Sequence, residues 1–171
     1  MKTLFKNARL IDPEAGTDTI GDLLVVDGVI ADGGAPDEVI ECGGKCLAPG
    51  IVDIGVKVSE PGERHKESFA SAGRAAVAGG ITTIVTRPDT DPAIDTPEVL
   101  EFVERRAAID ADVNVLPMAA LTKARARREM TEIGFLMDAG AVAFTDCDRV
   151  VVDTKVFSRA LTYARSLDAL V

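Results

Sequence analysis

The stretch VDIGVKVSEPGERHKES, Val52 to Ser68, decides how this chain is built. An apolar, β-branched run meets a Pro-Gly turn and gives way to charged and hydroxyl residues that open a helix. The helix is expected through KESFASAGRAAVAGG, with Gly79-Gly80 as its stop. ITTIVTRP is then a strand rich in β-branched residues. Its helix opens at DTPEVLEFVERRAA, with Thr96 at the N-cap, Pro97 in the first turn and Glu98 behind it. Leu100, Val103 and Ala107 give that helix an apolar stripe. DVNVLPMAA reads as a third strand, and REMTEIGFLMDAG as a third helix with Met130, Ile133 and Met137 on one face. AVAFTD reads as a fourth strand. The helix DTKVFSRALTYARSLDA places Val156, Ala160 and Ala164 in register, beside Phe157 and Leu161, and LDALV opens a fifth strand. Serial strand-helix units joined by short loops predict an α/β fold with a parallel sheet. Periodicity alone leaves an open doubly wound sheet and a closed barrel both standing, and the final strand leaves an apolar sheet edge to be covered by more chain or by a partner.

Residues 1–49 have another texture. KTLFKNARLI, DLLVVDGVIAD and EVIECGGKCLA are short β-type runs separated by Gly, Asp and Pro, and Asp27-Gly28 signals a hairpin. They predict a small antiparallel sheet unit. The whole chain of 171 residues is long enough for a real core, built on Val, Ile, Leu and Ala because aromatics make up 4% and Trp is absent. A net charge of −9 makes nucleic acid and anionic membrane poor partners. No apolar run reaches the roughly 20 residues of a membrane span, and Asp12 and Glu14 interrupt any signal-peptide core, so a cytoplasmic location is expected. Cys42, Cys46 and Cys147 read as reduced thiols, since no second Cys or His pair answers CGGKC as a zinc half-site.

The run LAPGIVDIGVKVSEPGERHKES, followed by AAVAGGITTIV, RPDTDPAIDTPEVLEFV, VNVLPMAALTK and DAGAVAFTD, resembles the dihydroorotases of the amidohydrolase superfamily and their allantoinase and dihydropyrimidinase relatives. The likeness runs along essentially the whole chain. It implies the N-terminal part of a TIM-type (β/α)8 barrel preceded by a small β-sandwich segment. On that view residues 1–49 supply half of a composite sandwich. Residues 50–171 supply the first four βα units and the start of the fifth strand, about half the barrel. Later strands, which in the family carry two further metal-binding histidines and the catalytic aspartate, would lie beyond these residues.

The resemblance also implies where the site should be, and there the sequence departs from it. The family's first strand reads Asp-x-His-x-His-x-Arg, in which alternate histidines close on zinc and the arginine grips the substrate carboxylate. Here Asp53 is kept, while Gly55, Lys57 and Ser59 occupy the other three positions. The family's Met-Pro-Asn-Thr is Arg87-Pro88-Asp89-Thr90, so a neutral amide has become a carboxylate. Its Asp-Asp-Gly is Asp146-Cys147-Asp148, and Asp146 is the aspartate retained. Glycine offers no donor, and a protonated Lys57 repels a cation. Ser59 cannot replace a bidentate arginine, and Asp89 repels an anionic substrate. No catalytic residue and no metal are therefore expected, and the chain reads as a pseudoenzyme.

Lys57 is expected either to pair with Asp146 or Asp53 in the vacated site or to stand in solvent. His65, the only histidine, is expected in a structural or solvent-facing place, and Asp53 is expected to orient backbone or a neighbour. The basic run KARARRE, Lys123 to Glu129, is a solvated face or a contact patch. By family resemblance the expected role is a structural partner of aspartate carbamoyltransferase in pyrimidine biosynthesis, in a homo- or hetero-oligomer. The alternatives are an active zinc-dependent cyclic-amide hydrolase with an altered site, its metal held by Asp146 and residues beyond Val171, and a small-molecule sensor that kept the pocket.

Overall fold

The computed structural model describes all 171 residues as two compact units, Met1–Pro49 and Gly50–Val171. The first is a five-stranded sheet. The long strand β1 (Lys2–Asp12) pairs antiparallel with β2 (Thr17–Val26), which pairs antiparallel with β3 (Val29–Ala31). Asp27 and Gly28 both have positive φ, 50° and 85°, as a two-residue type I′ hairpin requires. The strands β4 (Glu38–Glu41) and β5 (Cys46–Leu47) correct the sequence expectation of an antiparallel unit, because both run parallel to β1. The chain crosses to the free edge of β1 through residues 32–37, where Asp37 donates its N–H to Lys2 O. Strand pattern reports which residues are apolar, and it is silent on which edge a later strand will join.

In the second unit β6 (Ile51–Val56), β7 (Ile81–Thr86) and β8 (Asn114–Pro117) form a parallel sheet in sequence order. Helix α1 (Phe69–Ala78) follows β6 and α2 (Pro97–Asp110) follows β7. Ser68 caps α1 by accepting from Ser71 N–H while Ser71 Oγ accepts from Ser68 N–H, a reciprocal capping box. Leu100, Val103 and Ala107 of α2 are buried against Phe69, Ala72 and Ala76 of α1 and Ile84 of β7. That is the stripe read from the sequence. Val85, the neighbour of Ile84, points to the opposite face and packs with Met118 and Ala143. One face of the sheet thus holds the main core and the other lines the strand-end cavity described below. The other edge of β6 is unpaired, with Ile51, Val52 and Ile54 exposed.

The expected fourth strand does not form. AVAFTD runs beside the end of β8, with Val142 N–H donating to Pro117 O and Ala119 N–H to Ala143 O, yet it makes a single bridge, Ala119 to Phe144. Pro117 has no N–H to extend the ladder. The expected start of a fifth strand is one hydrogen bond, from Phe144 N–H to Leu170 O at 2.9 Å. Helices α3 (Ile133–Asp138) and α4 (Thr154–Ser166) complete the unit. Ile133 and Leu136, with Ala160 and Ala164, face its core, while Phe157 and Leu161 remain 40% exposed.

Candidate functional site

Three parallel strands end together, and their C-terminal ends set the site. At the end of β6, register with β7 slips between Ile54 and Val56, so Gly55 is an extra, bulged residue with φ of 92°. This bulge breaks the alternation that would have put Gly55, Lys57 and Ser59 on one face. Gly55 lines a cavity of about 540 Å³ together with Arg87, Met118, Ala143, Phe144 and Cys147. Lys57 stands past the strand, half-exposed. Ser59 is buried and is not among the residues lining the cavity; its backbone oxygen accepts from Glu63 N–H at 2.7 Å. Next to it Glu60 is buried, accepting from Phe69 N–H at 3.1 Å and from Arg106 Nε at 2.9 Å, so this carboxylate ties the turn to α1 and α2. Gly62 fixes the same turn against the β7 loop: its φ is 103°, and a Cβ there would lie 2.6 Å from Asp91 O.

Lys57 Nζ lies 3.0 Å from Asp89 Oδ2, and Arg87 Nη2 lies 3.0 Å from the same oxygen. The Asp89 side chain is 5% exposed. Asp89, then, rather than Asp146 or Asp53, is the partner of Lys57. Asp146 is engaged elsewhere: its Oδ1 accepts from Thr122 N–H at 2.9 Å and its Oδ2 from the Thr122 hydroxyl. Its backbone oxygen accepts from Arg125, whose guanidinium also pairs with Asp148. Asp53 is exposed on β6. His65 is exposed in the turn before α1.

Burial opposes the Arg87 charge, but the Cys147 thiol and Asp89 outweigh it and hold the guanidinium pKa above its ordinary value. Burial pushes the Cys147 thiol up, and neighbouring Arg87 only partly offsets this. The Asp148 carboxyl is held below the usual range by its own backbone N–H and by Arg125. Arg87 Nε and Asp89 Oδ1 are buried without partners, and such groups in a folded chain ordinarily have one. Sequence reading missed Arg87 and Cys147 as site residues. The one available signal was a cation placed at the C-terminal end of an apolar strand.

A zinc ion does not fit the donors gathered here. Gly55 supplies none, Lys57 brings an ammonium, each Asp146 oxygen already accepts a hydrogen bond from Thr122, and no three His, Cys, Asp or Glu side chains converge.

Residues 44–171 match the family model described as Dihydro-orotase-like. The chain belongs to this dihydroorotase-like family of the amidohydrolase superfamily. It is 41% identical over 174 residues to a dihydroorotase of Solibacter usitatus, covering 98% of this chain and 40% of that protein. A dihydroorotase of Pelobacter propionicus is 39% identical over 173 residues, again with 98% of this chain and 41% of the relative covered. The dihydroorotase-like chain therefore spans about 40% of the length of the curated relatives it matches. Among solved structures, the L-hydantoinase (dihydropyrimidinase) of Arthrobacter aurescens superposes with a TM-score of 0.82 at 23% identity, covering 98% of this chain and 39% of its own. A D-hydantoinase gives a TM-score of 0.70 at 21% identity, covering 99% and 39%. These likenesses show the fold: the chain superposes on part of each of those larger structures.

Proposed function

We propose that this protein is a dihydroorotase-like member of pyrimidine biosynthesis that does not catalyse the hydrolysis itself and acts as a structural partner in the assembly of aspartate carbamoyltransferase. The observation that carries the first half is the Lys57–Asp89–Arg87 ion cluster. A lysine stands where the family places a zinc-binding histidine, and its charge is already met by a carboxylate 3.0 Å away. Asp89 in turn stands where the family's asparagine contacts substrate, so metal and substrate positions are locked to one another. Losing only groups that support a metal's ligands commonly costs about 10–100-fold, and replacing two ligating imidazoles should cost far more.

The second half rests on the family resemblance and on a frame kept intact around the altered positions: capping box, Glu60 anchor and parallel sheet. A cytoplasmic location goes with that role. Co-purification with the transferase tests it. If the transferase has the same size and activity with and without this protein, the assembly role is wrong. The retained Asp146 is the one feature favouring an active hydrolase with an altered zinc site, and a stoichiometric metal in the protein purified without chelators would favour that reading instead.

A further inference from the structure

We propose that the loop from Thr122 to Glu129 docks this protein onto a carboxylate-rich surface of a protein partner through Arg127 and Arg128. The loop follows β8 and carries the basic run KARARRE. Much of its charge is spent inside the chain. Lys123 Nζ lies 2.5 Å from Glu129 Oε1, and the buried Arg125 pairs with Asp148. Arg127 and Arg128 are exposed and stand outside the ion pairs of the chain. The carboxylates around them are engaged elsewhere. Asp95 Oδ2 accepts from Ala124 N–H at 2.6 Å, Asp146 accepts from Thr122, and Glu132 shares a small hollow with Arg159.

The backbone holds the two guanidiniums in place. Ala124, Arg125 and Arg127 have φ of 51°, 52° and 65°, the left-handed region that costs a residue with a side chain about 1 kcal/mol or more. Three bonds offset that strain: Asp95 to Ala124, Arg127 N–H to the Thr122 hydroxyl oxygen at 2.9 Å, and Lys123 N–H to Glu129 O at 2.9 Å. Strain held in this way gathers at binding sites, and a loop already ordered loses little freedom on docking. The loop's flanks are filled by its own chain. Asp95, after β7, meets it on one side; on the other, Arg149 Nη1 donates to Arg125 O at 3.2 Å. A long polyanion would feel the whole net charge of −9 and be repelled, which disfavours nucleic acid and anionic lipid. A local cluster of carboxylates on a protein meets only the loop, because charges beyond about 8 Å are screened at physiological salt. Each planar guanidinium fork matches a carboxylate, and arginine is a residue that interfaces enrich.

The inference rests on the assembly reading above, and one experiment separates the two. The full chain is mixed with aspartate carbamoyltransferase and the complex is followed by sedimentation velocity. The unaltered chain should bind, with a Kd that rises several-fold from low to moderate salt. Arg127→Glu with Arg128→Glu should weaken binding at least about tenfold while the urea midpoint of the free chain stays unchanged, since neither side chain is packed or paired. Arg74→Glu with Arg105→Glu, at exposed arginines of α1 and α2, should alter Kd less than about twofold. Inorganic phosphate, at ionic strength matched with chloride, should leave the complex intact. Unchanged affinity in the loop variant, equal weakening by both double variants, or displacement by phosphate would overturn the docking surface and leave the assembly role standing. No complex with the unaltered chain would overturn both.

Discussion

Restoring histidine at the two family positions, Gly55→His with Lys57→His, should destabilise the protein without rebuilding a metal site. At position 55 the cost is conformational. The φ of 92° is easy for glycine and strained for histidine, while nothing within 4 Å obstructs a Cβ. Such backbone strain costs about 1–3 kcal/mol. At position 57 the pair with Asp89 is lost. The lysine is 53% exposed, which screens the interaction, and Arg87 still holds Asp89 at 3.0 Å, so about 1 kcal/mol is expected. Together the loss is about 2–4 kcal/mol, with some departure from additivity because the residues are neighbours. With a urea slope of about 2 kcal/mol/M, the midpoint should fall by about 1–2 M at unchanged slope. The variant should also hydrolyse no dihydroorotate, since Ser59 and Asp89 still fail to accept its carboxylate. An unshifted midpoint, or measurable turnover, refutes the reasoning.

Three further outcomes follow from other contacts. Thr122→Val removes a fully buried hydroxyl that donates to Asp146 Oδ2 and accepts from Arg127 N–H, and should cost about 2–3 kcal/mol in chemical denaturation; a loss below about 0.5 would contradict the account. Gly73→Ala would place a Cβ 2.8 Å from Asp112 N and 3.3 Å from Ala111 Cα, so α1 must move off the end of α2. It should destabilise by about 1–3 kcal/mol despite alanine's better helix propensity, and a more stable variant would be the wrong result. Asp18, Glu63 and Asp148 are held below their ordinary pKa values, chiefly by Arg9, by Lys66 and by a backbone N–H respectively. Because their folded values are the lower ones, the stability they contribute is complete above about pH 5.5 and is lost as pH falls through those lowered values. A urea titration that stayed flat into strong acid would contradict this.

The strand-helix order, the stop at Gly79-Gly80 and the stripe on α2 were legible because each rests on local chemistry: β-branched runs, a cap, a period of 3.6. The parallel arrival of β4 and β5 at β1 was not, because pairing partners are chosen by the path of residues 32–37. AVAFTD looked like a strand for its apolar run, and Pro117 denied it the ladder. At the site, Gly55, Lys57, Ser59 and Asp89 stood out by their departures from the family pattern, yet their arrangement did not follow from strand alternation. The bulge at Gly55 sends Lys57 toward Asp89 while Ser59 is buried. Arg87 escaped notice because its significance lies in a partner two residues along the chain and in a cavity assembled from several separate segments.

The central claim is that a fixed ion cluster stands where the family holds zinc. Elemental analysis of the full chain, purified without chelators and exposed to zinc before desalting, tests it most directly. The account predicts substoichiometric metal and an unchanged unfolding midpoint after zinc treatment. One or two tightly held zinc ions per chain, with a raised midpoint, would contradict it.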